Sequence, residues 1–427
     1  MQLKKPFSLA EEKQVGQNQL GQKPQVYVVG SGLVAKICAL AMLRLGLRVQ
    51  LNIGIRQTQT KKTQATPRTF ATAPHVAAWL QSLDIWQALP AAAQQDVARM
   101  QIFDSASIST QILSAYEANL PKLCTIVDEA ALLRVVDAAL QTAQMMQGQG
   151  KLSLVENAKV EMTNPPNAQS GALYIAADGA QSAWAQALGL VQTVHDYAQS
   201  AVVAMVQVNT ATPNNFLTAT GTAHQWMGGA EEHSDVLALL PMTAGQYGVV
   251  WSCAPADAQR RAADVAVLVA ELNARIAKNT NKEIITASDL VCAIEGYSPG
   301  VFPLTRANLS AAVLPQLGFA AVGDALRRVH PLAGQGLNLG LEDVMALAAA
   351  VQGREHWRAP HSPRVLERYA RARAERSALV QNVIHGLATR GSVVQSNLVS
   401  KTLVKIMAKI KIPAMQYMSN PNSKRTL

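Results

Sequence analysis

Acidic residues are scarce in this chain, and the shortage is uneven. Only 28 of its 427 residues are Asp or Glu, against 38 Lys and Arg, and no acid occurs between Glu12 and Asp84. The formal net charge of +10 favours an acidic partner, nucleic acid or an anionic membrane surface, and says nothing about fold. No nucleic-acid motif accompanies it, so nucleic acid is not expected. Cysteine is equally sparse. Cys38, Cys124, Cys253 and Cys292 stand far apart, with no CxxC pair and no histidine cluster at ligand spacing. Neither a zinc site nor a disulfide framework is indicated, which fits a reducing cytosol. No stretch reaches the ~18 uninterrupted apolar residues of a membrane span, so any membrane contact is expected to be peripheral. The polar, Gln-rich opening, residues 1–23, has no apolar core of the signal-peptide kind and reads as a loose tail.

Apolar residues, by contrast, are plentiful. They make up 49% of the sequence, ample for a large core. Length alone suggests roughly two or three domains.

Two stretches carry chemistry. In the first, the apolar run Gln25–Val29 reads as a strand, and Gly30, Gly32 and Ala35 follow it into the helical pattern of Ile37, Leu40, Ala41 and Leu43. Val49–Ile53 then reads as a second strand, which completes a βαβ unit of dinucleotide-binding size. Gly30 makes the turn and Gly32 admits a pyrophosphate. Ala35 replaces a third glycine, at a position that only needs to be small for helix and strand to pack. The acid expected at the end of the second strand, to bind ribose hydroxyls, is replaced by Ile53, with Asn52 a weak substitute. The basic residues that follow, Arg56, Lys61, Lys62 and Arg68, offer a second reading, a 2′-phosphate site.

The second stretch runs from Phe319 to Val344. Phe319–Val322 reads as a buried strand, broken by Gly323-Asp324, which puts a carboxylate at the strand's carboxyl end. Ligands bind there in open α/β sheets. After Arg327, Arg328 and His330-Pro331 come Gly334-Gln335-Gly336, then Leu337-Asn338-Leu339 at the start of a partly buried helix. Glycines at a helix start allow close backbone approach, and the unpaired N–H groups there favour an anion.

Gly323-Asp324, His330-Pro331-Leu332-Ala333-Gly334-Gln335-Gly336-Leu337-Asn338-Leu339-Gly340 and Asp343-Val344 resemble the second flavin fingerprint of the single-component, class A FAD monooxygenases, the p-hydroxybenzoate-hydroxylase-like group. Within that group the sequence is most similar to the ubiquinone-biosynthesis ring hydroxylases. The resemblance implies that Asp324 contacts the flavin ribityl chain and that the Gly334–Asn338 backbone faces the isoalloxazine ring. It also implies that Arg68 reaches the flavin before the helix carrying Trp79. Trp79 and Trp86, at helical spacing, read as core rather than as a substrate platform. Asp178-Gly179 matches the family's middle fingerprint, near the pyrophosphate and the nicotinamide route; taken alone it is a turn. Asp128 and Glu129 stand for polar flavin contacts or, equally, for helix capping, and Ala130 replaces the family's arginine. His330 beside Pro331 is the candidate catalytic polar group at the flavin edge, with a structural histidine as the alternative. Arg327 stands where relatives usually carry histidine, with Leu326 in place of a smaller residue, and bulk and charge beside Asp324 are expected.

The implied fold is α/β: a Rossmann-like FAD-binding domain with an inserted, mostly antiparallel substrate domain and a C-terminal helical region. The FAD-binding domain takes residues 24–100, 125–190 and 291–352, with substrate-side strands at 101–124, the substrate domain at 191–290 and the helical region at 353–427. The implied reaction is hydroxylation of a polyprenylated phenol or quinone ring in ubiquinone biosynthesis, with FAD, NAD(P)H and O2. A different aromatic or isoprenoid substrate, and a non-catalytic accessory role with weakened FAD binding, are the other readings. Lys401, Lys405 and Lys409 recur every four residues opposite Leu403, Ile406 and Met407. That basic amphipathic helix can lie on anionic lipid or pack against the domain or another subunit. A cytoplasmic protein, peripheral on the inner membrane and associated with a ubiquinone-biosynthesis complex, is the expectation.

Overall fold

The structure is a computed structural model and describes residues 23–54, 66–104, 110–146, 151–158, 171–212, 215–228, 235–278, 290–330 and 335–374. In chain order the strands are β1 (Val26–Val29), β2 (Val49–Gly54), β3 (Thr69–Thr72), β4 (Gln94–Val97), β5 (Arg99–Asp104), β6 (Thr110–Ser114), β7 (Cys124–Asp128), β8 (Leu152–Ala158), β9 (Leu173–Ala176), β10 (Gln192–Val208), β11 (Thr222–Met227), β12 (Val236–Pro241), β13 (Gln246–Cys253), β14 (Val291–Ala293), β15 (Gly300–Leu309), β16 (Val313–Leu314), β17 (Phe319–Ala321) and β18 (Arg327–Arg328). The helices are α1 (Leu33–Arg44), α2 (Pro74–Ser82), α3 (Glu129–Met146), α4 (Ala183–Ala187), α5 (Pro255–Ala263), α6 (Val265–Lys278), α7 (Gln335–Gln352) and α8 (residues 363–374).

Three sheets result. A six-stranded sheet has the order β16-β17-β9-β1-β2-β8, parallel except for the β16–β17 pair. Its inner strands are apolar on both faces because helices cover it: α1 is buried along nearly its whole length, Leu33 to Leu43, and joins one core with α3 and α7. Lys36 reaches out of that core to Asp137 of α3 at 2.5 Å. A small sheet, β3-β7-β4, flanks it.

The third sheet, β18-β15-β10-β13-β12-β11-β5-β6 with β14 also on β10, is antiparallel apart from the parallel β5–β11 pair. The expected α/β architecture with its mostly antiparallel insertion is therefore present. The chain returns to the parallel sheet later than expected, however. β14 and β15 both stay with the antiparallel sheet, and re-entry comes at β16. The reason lies in β10, which is 17 residues long. β15 pairs with it from Gln192↔Leu309 to Val203↔Gly300, across a bulge at Asp196/Gln199, and so covers an edge that would otherwise be open.

Trp79 is buried in the core and Trp86 packs against it. Among the described residues no helix is long and apolar enough to cross a membrane. The Lys401–Ile410 segment lies outside the described residues.

Candidate active site

The turn after β1 is shaped by contact. Gly30 has φ +143, and a Cβ on it would lie 2.7 Å from the Ala177 carbonyl carbon and 2.8 Å from the Ala35 Cβ. Ala35 is fully buried at this contact, so its small side chain sets how closely helix and turn approach. The Gly30 N–H donates to the Asn52 carbonyl at 3.0 Å. Gly32 differs: it has an ordinary φ of −85, caps α1 without a side chain, and a Cβ there would meet no protein atom within 4 Å. The first-turn N–H groups of α1, with no acid beside them, point their positive end at open space.

That space is a cavity of about 630 Å³. Ser31, Gly32 and Leu33 line it from the β1–α1 turn, Asp178 and Gly179 from beyond β9, Asp324 from beyond β17, and Gly336 and Leu337 from α7. Three strands of the parallel sheet thus deliver their carboxyl ends to one site. Neither Asn52 nor Ile53 lines it. Ile53 packs partly buried against the core, and the Asn52 side chain accepts from Gln50 at 2.8 Å. Arg56, Lys61 and Lys62 fall outside the described residues.

Arg68 reaches the same cavity. Its guanidinium pairs with Glu129, Nε to Oε2 3.2 Å, and lies 5.4 Å from the Phe70 ring and 5.3 Å from the Phe302 ring. The β3 segment that carries it rests on bare backbone of the large sheet. A Cβ on Gly300 would come within 2.5 Å of the Thr66 Cγ2, and one on Gly248 would collide with Thr69. The two acids at the start of α3 separate their work. Asp128 Oδ1 accepts the Ala131 N–H at 2.6 Å, a cap, while Glu129 lines the cavity and orients Arg68. Ala130 is exposed.

Asp178 accepts the Ala183 N–H through Oδ2 at 2.9 Å, and its buried Oδ1 has no partner among the described residues. Burial raises its pKa, and hydrogen bonds from Ser182 and Ala183 pull the other way. Asp324 is recessed among protein atoms, yet half of its side chain faces the open cavity; burial raises its pKa, opposed by Arg328 and Arg68. Arg328 stands 4.0 Å from Asp324 and donates to Thr305 Oγ1 at 2.9 Å.

Arg327 does not crowd Asp324. Strand alternation in β18 sends it the other way, into the core, where it meets Asp343 at 3.2 Å, while Arg328 lines the cavity. Leu326 is buried as well. His330 is also buried behind the wall formed by Arg328 and Val329, edge-on to Tyr197 with ring centroids 4.9 Å apart, and burial pushes its pKa down to about 4. Pro331 and Gly334 lie outside the described residues, and Gln335 opens α7 with its side chain undescribed. Asn338 places its side chain against protein: Oδ1 accepts the Ala73 N–H at 2.9 Å and Nδ2 donates to the Ala71 carbonyl at 2.8 Å. It bolts the first turns of α7 to the end of β3.

Behind the turn lies a buried ionic network that sequence reading missed. Asp343 meets Arg327 and Arg373 and accepts the Gly323 N–H; Glu342 meets Arg373 at 3.0 Å and His75 at 2.9 Å. Asp343 stood inside the recognised stretch, but nothing local announced Arg373, thirty residues further on.

The donors fit a dinucleotide-flavin group. Gly32, Gly179 and Gly336 each offer backbone that no protein atom covers, beside the uncapped start of α1, and Asp178 and Asp324 bring carboxylates to the same cavity. Comparison with known proteins points the same way. The chain is 27% identical over 368 residues to the 3-demethoxyubiquinol 3-hydroxylase of Escherichia coli (strain K12), covering 84% of this chain and 88% of that one. It is 28% identical over 320 residues to the mitochondrial ubiquinone biosynthesis monooxygenase COQ6 of Caenorhabditis elegans, covering 66% and 67%. The solved structure of Klebsiella pneumoniae HpxO complexed with FAD and uric acid has the same fold, with a TM-score of 0.60, 17% identity, and coverage of 94% of this chain and 96% of that chain. A family profile described as an FAD binding domain matches residues 23–384, and this chain belongs to that family.

Proposed function

We propose that this chain is an FAD-dependent monooxygenase that hydroxylates an uncharged, polyprenylated phenol or quinol ring of ubiquinone biosynthesis, as its similarity to the E. coli and C. elegans hydroxylases suggests. The supporting observation is how charge is divided over the cavity wall. Arg68, Glu129, Asp178, Asp324 and Arg328 lie on the side of the strand ends and α7. The wall from β10 to β13 is apolar, with Ala201, Val203, Val236, Ala238 and Leu240, and its polar groups are the neutral Gln225 and Ser252. A carboxylate on the ring would find no cation on that wall. A neutral ring with an apolar tail would match it.

Bound FAD, reduced by NAD(P)H, would supply the activation of O2 and the transfer of one oxygen atom to the ring. The chain's own groups hold and shield. The N–H groups opening α1 would meet the pyrophosphate, with Asp178 and Gly179 beside it, Asp324 would accept a hydroxyl of the ribityl chain, and Arg68, held by Glu129, would meet the cofactor's edge. The first turn of α7, which has no acidic residue, would turn its N–H groups towards the flavin ring and favour negative charge there. The apolar wall would keep water away from the reacting ring. His330, behind the wall, acts by packing.

A peripheral position on anionic lipid through Lys401, Lys405 and Lys409 suits a prenylated substrate that resides in a membrane. Replacing all three by Gln should release the protein from anionic vesicles; unchanged vesicle binding would remove the lipid role. Assembly with other ubiquinone-biosynthesis proteins belongs to the same reading, and its check is co-purification of the full chain with them.

The reaction is tested by the visible spectrum of the purified protein with and without added FAD, followed by titration with NAD(P)H in the presence of a neutral prenylated phenol. Flavin uptake and substrate-accelerated reduction are expected. A folded protein that takes up no flavin would remove the hydroxylase assignment and leave an accessory role.

A further inference from the structure

Helix α8 acts on the cavity without lining it. The buried Tyr369 hydroxyl donates to the Ala321 carbonyl, the last residue of β17, at 2.7 Å. One turn later Arg373 spreads three donors over α7: Nε to Asp343 Oδ1 at 2.7 Å, Nη1 to Glu342 Oε2 at 3.0 Å, and Nη2 to the Leu339 carbonyl at 3.3 Å. With its Oδ1 engaged by Arg373, Asp343 turns Oδ2 to the backbone N–H of Gly323 at 3.1 Å. Gly323 has φ +63, and a Cβ on Gly340 of α7 would stand 3.2 Å from its Cα. The next residue, Asp324, lines the cavity. The segment from Ala321 to Gly323 is therefore held from behind at both ends by one helix, directly at Ala321 and through Asp343 at Gly323.

We propose that Arg373 is a positioning residue for the flavin site: through Asp343 it fixes the Gly323–Asp324 turn, and helix α8 is thereby part of the cofactor-binding apparatus. The proposal rests on the flavin reading of the cavity. A carboxylate whose one oxygen is held by the Nε–H of an arginine that is itself pinned by two further bonds, to Glu342 and the Leu339 carbonyl, presents its other oxygen in one direction. Without Arg373, Asp343 keeps Arg327 as a partner but loses the constraint that aims it at Gly323, and Asp324 loses its fixed place relative to the α1 and α7 helix starts. Displacement of a supporting group by a fraction of an ångström is enough to weaken binding at the groups it orients.

The test uses the full chain, stripped of flavin and titrated with FAD by quenching of flavin fluorescence. Arg373→Met should weaken FAD binding by about tenfold or more in the otherwise native chain, and by less than about twofold when Asp324→Ala is already present. Arg373→Lys, which keeps the charge and one donor direction, should recover part of the lost affinity. Equal losses in both backgrounds, or native FAD affinity in folded Arg373→Met, would overturn the proposal. Should Arg373→Met fail to fold by circular dichroism, Tyr369→Phe takes its place. It should weaken FAD only when Asp324 is present, and unchanged affinity overturns the proposal. A native chain that takes up no FAD overturns the flavin reading, and the proposal with it.

Discussion

Gly30 lies so close to Ala177 that a Cβ built on it would stand 2.7 Å from the Ala177 carbonyl carbon. Two residues on, Gly32 has no protein neighbour within 4 Å of the same hypothetical atom. One glycine serves packing, and the other leaves room that a ligand can enter. Gly30→Ala forces a clash with backbone at a φ that L residues rarely adopt, and should cost about 3–5 kcal/mol in urea unfolding of the flavin-free protein. Gly32→Ala should leave that stability within about 0.5 kcal/mol but reduce FAD affinity by roughly tenfold or more, about 1.4 kcal/mol. A reversed pattern would exchange the two roles.

Asp324→Ala should leave a folded protein, because the turn that presents the carboxylate is held by Asp343 on the Gly323 N–H and not by Asp324 itself. Thermal unfolding of the flavin-free variant should match the parent, while FAD affinity falls by roughly tenfold, still within reach of titration, and ring hydroxylation disappears. Retained hydroxylation would strip Asp324 of its role at the cofactor.

The Arg327–Asp343–Arg373–Glu342 network is buried and balanced, two cations against two anions. Removing a single member leaves an uncompensated charge in the core. Asp343→Ala should therefore destabilise the protein by about 3–5 kcal/mol in chemical denaturation. Adding Arg373→Met should cost less than the sum of the two single changes, since the second substitution removes one of the charges stranded by the first. Strict additivity would show that the pair is not coupled.

Acid should loosen the substrate side. His224, on β11, is buried with neither ring nitrogen hydrogen-bonded among the described residues, and burial pushes its pKa down to about 4. An unfolded histidine titrates near about 6.5, so below that value the unfolded chain binds more protons and stability falls with pH until the folded group also titrates. The loss from this one residue should reach about 2 kcal/mol between about pH 7 and pH 5. His330, also pushed down to about 4, adds in the same direction. Asp178, raised by burial, works against both, gaining stability as it protonates. His224→Phe should flatten the pH dependence of the urea midpoint by roughly the His224 share; an unchanged slope would place the titration elsewhere.

Much of this was legible in the sequence because it is local. The β1–α1–β2 unit and the Phe319–Asp324 turn are written in consecutive residues, and they led to the α/β fold, the flavin cofactor and the FAD-binding family. Strand alternation over Arg327-Arg328 separates a core arginine from a cavity arginine only once β18 is known to be a strand, and the resemblance to relatives had drawn attention to the core one. The ionic network was not legible, since Arg373 finds Asp343 only through the packing of α8 on α7. Nor was the late return of the chain to the parallel sheet, which depends on β10 running far enough to hold β15 along its length.

Gly248 and Gly300 set a limit on redesign. The segment bearing Arg68 lies on their bare backbone, with Thr66 and Thr69 occupying the room that side chains would need. Reshaping the chamber for bulkier or smaller rings is therefore open at Val236 and Ala238, which line the void. It is closed at the two glycines, where any added methyl would lift the arginine segment and spoil the cofactor end of the chamber while altering the substrate end. Libraries aimed at new ring substrates should hold those two positions fixed.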